Sequence, residues 1–199
     1  MPDSQETKQP ARARISNLLI AVTGSVGVVV VPHYITLLRQ KFAQDVWVIM
    51  SQAAQKFVTP FTMRLFSGHY VFTDLFQAKH EITVPHLQLA RSANLLLIMP
   101  ATANVIAKAA HGMCDDLITT TIVASKAPVV FVPSMNEDMW MNKAVQRNVG
   151  LLRELNYHII PPGHGYSIID GADIFGVIPQ FDVLLQNLHA VLEQATVIR

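Results

Sequence analysis

The feature that most constrains the fold of this chain is a series of short, almost uninterrupted apolar runs. They occupy residues 17–22 (NLLIAV), 45–50 (DVWVIM), 94–99 (NLLLIM) and 128–132 (PVVFV), with a shorter run at 157–160 (YHII). Apolar runs without polar alternation are typical of strands that are covered on both faces. Because helical sequence separates them, the runs predict βαβ units and a central parallel sheet.

The helices between these strands are predicted from periodicity and from capping residues. The first helix follows the turn at 24–27 and runs to about Lys41, and the second begins at Gln52 behind a Ser51 cap. A third begins at Thr102. The last two extend from about Glu137 to Leu155 and from about Gln180 to Gln194. A short helix is predicted at 85–91, before the third strand. Residues 161–179 show little periodicity and are predicted to form an ordered or mobile loop, which at that length is more often functional than idle.

Composition limits the class of protein further. The chain has 199 residues, 51% of them hydrophobic and 15% charged, with a net charge of +1. That length suits one domain, predicted over 16–199 behind a disordered polar tail at 1–15. The small net charge gives no basic field for nucleic acid or for a membrane surface.

Three further counts bear on location and assembly. The single cysteine excludes an intrachain disulfide framework, and no apolar run reaches the roughly 18 residues of a membrane helix. We therefore expect a cytoplasmic protein. The mean hydropathy of +0.32 favours apolar surface that is buried between subunits, although a large core is the alternative. No histidine spacing indicates a metal site.

Ligands of an open parallel sheet bind at the carboxyl ends of its strands, so the turns there are the candidate site. The turn TGSVG at 23–27 opens a helix and offers backbone amides and a hydroxyl to a phosphate. It lacks the GxGxxG spacing of NAD sites, and an ordinary tight turn is the alternative. The turn PATAN at 100–104 adds Thr102 and Asn104, with a helix cap by Thr102 as the alternative.

Two other segments carry side chains that are suited to chemistry. Residues 133–140 (PSMNEDMW) combine Asn136 with Met135, Met139 and Trp140, which indicates an apolar wall bearing one amide, although methionine and tryptophan alone are more often core. In PHLQLAR at 85–91, His86 lies in the first helical turn, where the helix dipole favours a neutral imidazole that could act as a base. A surface or capping histidine is the alternative.

The segment 112–117 (GMCDDL) completes the set. Asp115 and Asp116 are interpreted as a helix N-cap pair or as support for the PATAN turn. Cys114 has apolar neighbours and is predicted to be inert packing rather than a nucleophile.

Taken in order, GSVG, PHLQLAR, PATAN, GMCDDL and PSMNEDMW resemble the homo-oligomeric flavin-containing cysteine decarboxylases over about residues 17–162. The resemblance implies a Rossmann-like, flavodoxin-type three-layer α/β sandwich with bound FMN, or FAD in some members, assembled as a homotrimer or homododecamer. It also implies that His86 is the essential histidine and that Asn136 contacts the substrate carboxylate and amide. The flavin-binding positions would include Gly24, Ser25, Val26, Ser51, Pro100, Ala101, Thr102, Asn104 and Met135, and the substrate would also touch Met139 and Trp140.

The resemblance also implies a reaction. Oxidised flavin takes hydride from the thiol-bearing carbon of a cysteine, and the resulting thioaldehyde accepts the electrons as CO₂ leaves, which gives an enethiol. The coenzyme A pathway decarboxylases of this family must re-reduce that product, and a cysteine in their substrate-recognition loop donates a proton in that step. Residues 161–179, the candidate substrate-recognition loop here, contain no cysteine.

The absence of that cysteine favours a product that stays oxidised. The sequence therefore predicts oxidative decarboxylation of the C-terminal cysteine of a precursor peptide, as in aminovinyl-cysteine formation in lantibiotics. The alternatives are phosphopantothenoylcysteine decarboxylase, a UbiX-like flavin prenyltransferase and a non-catalytic flavin-binding regulator. The motif PxMNxxMW argues against the prenyltransferase, and the lack of acidic extensions argues against the regulator.

Overall fold

A computed structural model describes residues 14–79, 81–166 and 171–197. Residues 1–13 of the tail predicted at 1–15 lie outside the described residues. The last residue of that tail, Ile15, is the first residue of a strand. Five strands form the central sheet: β1 (Ile15–Val22), β2 (Ala43–Met50), β3 (Leu95–Ala101), β4 (Val129–Pro133) and β5 (His158–Ile159). Their order is β2-β1-β3-β4-β5 and every neighbouring pair is parallel, which confirms the predicted strands and sheet.

Eight α-helices and two 3-10 helices connect the strands in the described residues. The α-helices are α1 (Val31–Lys41), α2 (Pro60–Ser67), α3 (Pro85–Ser92), α4 (Ala103–Ala110), α5 (Leu117–Ala124), α6 (Glu137–Met141), α7 (Lys143–Glu154) and α8 (Phe181–Val197), and the 3-10 helices are Val26–Val30 and Ala54–Lys56. Of these helices, none is long and apolar enough to cross a membrane.

The helices cover both faces of the sheet, because each strand alternates its side chains between two cores. In β1, Leu18 and Ile20 face a core that also contains residues of α1, α2 and α8. Leu19 and Ala21 face a second core, which is shared with α3, α4, α5 and α7. All four side chains are at most 1% exposed. The molecule is therefore the three-layer α/β sandwich that the sequence predicts.

Three predicted segments differ from the structure. The helix expected from Gln52 is only a 3-10 turn, because the chain restarts as α2 at Pro60 behind a Thr59 cap. The helix expected from Glu137 to Leu155 is two helices, since Asn142 ends α6 and its side chain accepts the Ala144 N–H to begin α7.

The third difference concerns the predicted loop at 161–179. It contains an antiparallel hairpin of β6 (Gly163–Tyr166) and β7 (Asp173–Val177), although residues 167–170 lie outside the described part. The period-2 signal is weak there because two of the four β6 residues are glycine. We call this element, residues 163–177, the hairpin.

The strand order places the topological switch point of the sheet beside β1. The chain passes from β1 to β2 on one side and returns to β3 on the other, so the connections after β1 and β3 leave in opposite directions. In flavodoxin-like sheets of this order, ligands bind outside the carboxyl ends of the strands at that switch point. The turns that follow β1 and β3 are the ones that the sequence singled out.

Candidate functional site

Thr23 joins the turns that follow β1 and β3. The residue is 3% exposed, and its hydroxyl donates to the Pro100 carbonyl oxygen at 2.7 Å. The Thr23 hydroxyl oxygen also accepts the Thr102 N–H at 3.0 Å and lies 3.3 Å from the Thr102 hydroxyl. Thr102 in turn accepts the Val105 N–H, so it also caps α4, as the alternative for PATAN anticipated. Thr23 was missed as a site residue, although its motif was not.

The turn after β2 packs against the turn after β1. A Cβ placed on Gly24 would overlap the Cβ of Ala53, so only glycine allows the two turns this close an approach. Ser51 fixes the second turn, because its N–H donates to the Val22 carbonyl at 3.0 Å and its hydroxyl accepts the Ala54 N–H at 3.2 Å. Gly24 and Ser51 are therefore neighbours at the same edge of the sheet.

The turn after β4 joins this cluster through a pair of serines. The hydroxyls of Ser25 and Ser134 lie 3.0 Å apart, and Ser134 is 5% exposed. A Cβ placed on Gly27 would lie 2.9 Å from the Ser134 hydroxyl oxygen, so this contact is also close. Sequence reasoning missed Ser134, and its position inside PSMNEDMW was the only signal for it.

Asn136 begins α6 and is exposed to solvent. Its side-chain oxygen accepts the Met139 N–H at 2.9 Å, which directs that oxygen into the helix and leaves the amide NH₂ as the outward group. Met139 is 47% exposed, whereas Trp140 is 8% exposed and belongs to the second core, which is the alternative stated for it above. Met135 is half-buried against the same core.

His86 is the second residue of α3 and is partly buried. Its Nδ1 is a buried atom with no hydrogen-bond partner in the described residues. Among those residues, no side-chain hydrogen bond joins His86 or the exposed Asn104 to the turns described above. The structure therefore brings the four strand-end turns together but does not connect His86 to them.

The GMCDDL segment braces α4 against α5. Asp116 accepts the Thr119 N–H at 2.8 Å and Thr119 accepts the Asp116 N–H at 3.2 Å, a reciprocal capping box at the start of α5. Lys108 of α4 lies 2.7 Å from Asp115 and 3.3 Å from Asp116. Its ammonium lowers the pKa of Asp115, mainly through their hydrogen bond. The N-cap interpretation holds for Asp116.

Cys114 differs from its prediction. The side chain is exposed, and its thiol lies 3.6 Å from the Gly112 carbonyl. The prediction that this side chain packs among apolar residues is wrong, because it is exposed to solvent.

Comparison with known proteins identifies the family to which this architecture belongs. The model of the flavoprotein family matches residues 6–193. The chain belongs to the flavoprotein family. The coenzyme A biosynthesis bifunctional protein CoaBC of Bacillus subtilis (strain 168) is 40% identical over 153 residues, which are 75% of this chain and 37% of that protein. The chain thus spans well under half the length of the curated relatives that it matches.

Two solved structures share the fold of this flavoprotein. The FMN-dependent cysteine decarboxylase SpaF superposes with a TM-score of 0.77 at 36% identity, covering 94% of this chain and 98% of that one. A Cys-to-Ser variant of PPC decarboxylase, in complex with pantothenoylaminoethenethiol, gives 0.76 at 25% identity, covering 90% and 100%. The flavodoxin-like fold is confirmed, and the resemblance to cysteine decarboxylases is confirmed at the level of the family.

The residues at the strand ends suit the cofactor of this family. The hydroxyls of Ser25 and Thr102 and the start of the 3-10 helix at Val26 are polar groups of the kind that hold phosphate. Val26 and Val29 are 46% and 47% exposed beside them, and they offer apolar surface to a planar ring. The family match and the structural neighbours support FMN as the cofactor.

Proposed function

We propose that this flavoprotein binds FMN at the turns after β1, β2 and β3 and uses it to decarboxylate a substrate that ends in cysteine. The observation that carries the proposal is the hydrogen-bonded junction of Thr23 with Pro100 and Thr102, which holds the turns after β1 and β3 together at the switch point. Bound FMN supplies the two-electron acceptor without which a cysteine carboxylate has no route to losing CO₂.

The FMN contacts remain predictions from the resemblance. Gly24, Ser25 and Val26 would hold the cofactor from the first turn, and Ser51 from the second. The third turn would contribute Pro100, Ala101, Thr102 and Asn104, and Met135 would lie beside the ring. The hydrogen bonds of Ser25 and Thr102 to neighbouring turns support this assignment, because they hold both hydroxyls in fixed positions.

The substrate contacts follow from hydrogen-bonding capacity. Because the Asn136 oxygen is engaged by Met139, the amide NH₂ remains to donate to an acceptor such as a carboxylate. Met139 would supply an apolar surface that limits water near this carboxylate, which favours its loss. His86 would take the thiol proton as a general base. Its Nδ1 is buried, so this role requires the outer edge of the ring to face the substrate.

The relatives favour one of the two substrate classes. CoaBC proteins match this chain at 33% to 42% identity, so coenzyme A biosynthesis, with phosphopantothenoylcysteine as the substrate, is supported by sequence relationship. This was the alternative in the sequence analysis rather than its main prediction.

The peptide substrate is supported by a different observation. No cysteine lies in residues 161–179, so the chain has no thiol there to donate a proton when an enethiol is re-reduced. The PPC decarboxylase neighbour, a Cys-to-Ser variant, holds such an unreduced enethiol. An enethiol product, released without re-reduction, is the part of the peptide prediction that we retain.

One experiment tests the reaction and separates the substrates. Purified protein loaded with FMN is incubated under air with a Cys-terminated peptide and, separately, with phosphopantothenoylcysteine, and products are followed by mass spectrometry. Loss of CO₂ together with two hydrogens identifies the enethiol, whereas loss of CO₂ alone identifies a re-reduced thiol. We expect the loss of CO₂ together with two hydrogens. If yellow protein turns over neither substrate, the proposed function is contradicted. His86→Gln is the control, with flavin retained and turnover lost.

A further inference from the structure

The hairpin is fixed to the body of the protein at its two ends. At the entry, the Ile160 N–H donates to the Phe131 carbonyl at 2.9 Å, and Ile160 is 2% exposed. At the exit, Ile178 is 7% exposed, and the Pro179 carbonyl accepts the Tyr34 hydroxyl at 2.8 Å. Burial raises the pKa of Tyr34, so this hydroxyl stays a donor at neutral pH. By contrast, Tyr166 at the far end of β6 is 78% exposed.

Between these ends, the hairpin contains a bulge at Gly176. Gly163 pairs with Val177 and His164 pairs with Phe175, so Gly176 is an extra residue on β7 with no opposite number on β6. Its φ of +118° lies in the region that favours glycine. A bulge turns a peptide group out of the ladder, and here the Gly176 carbonyl accepts the Met135 N–H at 3.0 Å.

This hydrogen bond reaches the turn that carries Asn136. Met135 directly precedes Asn136, and the Asn136 carbonyl accepts the Trp140 N–H at 3.0 Å. The approach is so close that a Cβ on Gly176 would overlap the Met135 carbonyl oxygen. Any other residue at position 176 must therefore separate the hairpin from the Asn136 turn.

We propose that Gly176 is a positioning residue: its bulge holds the hairpin on the Met135 amide and thereby orients the Asn136 side chain toward the substrate carboxylate. The inference rests on the proposed function for the role of Asn136, but the contact itself can be tested without turnover. Anything that displaces the hairpin should also displace Asn136, so the hairpin must be seated for the carboxylate to be bound.

The test compares two glycines of the hairpin that both have positive φ. Gly176→Ala introduces the overlap with Met135, whereas Gly171→Ala, at φ +70° and with no atom within 4 Å of the added Cβ, introduces backbone strain alone. Both are made in FMN-loaded protein that carries Trp47→Phe, so that Trp140 is the sole remaining tryptophan of the two in the chain.

We expect Gly176→Ala to shift the emission of Trp140, to speed hydrogen exchange in residues 134–141 and to leave the bound flavin in place. The kcat/KM for a Cys-terminated substrate should fall about a hundredfold, mainly through KM, as expected for a misplaced binding group. Gly171→Ala should leave emission, exchange and KM close to those of the parent.

The outcomes distinguish the two proposals. If Gly176→Ala changes neither emission nor exchange, the positioning role is wrong whatever the activity. If the parent turns over no cysteine substrate while emission and exchange change as expected, the contact stands and the proposed function fails. If Gly176→Ala does not fold, Phe175→Leu, which only weakens hairpin packing, should produce the same changes at smaller amplitude; unchanged signals in that variant would overturn the inference.

Discussion

Asn136 combines two tasks that substitution can separate. Asp and Asn cap helices about equally well, but a carboxylate has no hydrogen to donate and repels a substrate carboxylate. Asn136→Asp should therefore keep the thermal midpoint and the bound flavin, while kcat/KM falls about a hundredfold or more because like charges meet. Steady-state kinetics beside thermal unfolding measures both. Equal activity in the variant would remove Asn136 from carboxylate binding.

Gly24 is a position where one methyl group should decide flavin binding. Gly24→Ala forces the turn after β1 away from Ala53, and we expect a loss of about 1–3 kcal/mol in the free energy of unfolding, typical of overpacking. Flavin should be released as well. Gly150→Ala in α7 is the matched control: it meets no atom within 4 Å and should stabilise by about 1 kcal/mol. Urea unfolding of both variants decides the matter.

Some residues of the candidate site could be predicted from the sequence and others could not. The turns could be found because small residues after apolar strands form a local pattern, and Gly24, Ser25, Ser51 and Thr102 were located in this way. Ser134 could not, because its partner Ser25 lies 109 positions away and no local pattern records that pairing. The roles of His86 and Asn136 came from resemblance, and they remain predictions.

Among the elements, α5 depends on its first residues. Asp116→Ala removes the capping box with Thr119 and should cost about 1 kcal/mol of stability. Asp115→Asn, the control, removes one partner of Lys108 at an exposed site and should cost little. Chemical denaturation at neutral pH compares the two. An equal loss in both variants would assign the effect to the Lys108 ion pairs instead of the cap.

The edge strand β5 should make stability depend on pH. Burial lowers the pKa of His158 below its usual 6.5, so the unfolded chain binds a proton more readily than the folded one. The contribution is complete above about pH 6.5 and is lost as pH falls through the lower, folded pKa. His158→Gln should flatten this part of the dependence between pH 5 and 7 in urea titrations. An unchanged slope would show that other groups are responsible.

At the scale of elements, prediction succeeded for strands and failed at helix boundaries. Apolar runs identify the five strands of the sheet to within about two residues, because full burial leaves a continuous signal. Thr59 and Asn142 divide the predicted helices, since each caps the start of a new helix with its side chain. The hairpin was predicted as a loop because Gly163, Gly165 and the Gly176 bulge hide the alternation of a strand pair.

For the whole molecule, cofactor binding should be visible as stability. The turns that would hold FMN come from three separate strands, so a ligand there crosslinks distant parts of the chain. Protein stripped of flavin should unfold at a lower temperature, and FMN at a hundred times its Kd should restore about 2.7 kcal/mol. Calorimetry with FMN and with riboflavin, which lacks the phosphate, measures the effect. No shift with FMN would contradict the proposed cofactor site.

The fold as a whole could be predicted further than the substrate. The predicted flavodoxin-type fold with a central parallel sheet is confirmed, since buried strands that alternate with helices leave few topologies. For the substrate, the CoaBC relatives support the coenzyme A alternative better than the predicted precursor peptide. Apolar runs along the whole chain predict how it packs, whereas no comparable pattern in the sequence predicts which substrate it binds.

The exposed thiol at the bend before α5 has a practical consequence. The chain contains one cysteine, Cys114, which is exposed to solvent within the GMCDDL motif. A maleimide dye should therefore attach at one defined position per chain without any engineered mutation. Counting bleaching steps of single labelled particles would then give the number of copies in each assembly directly, independent of its shape.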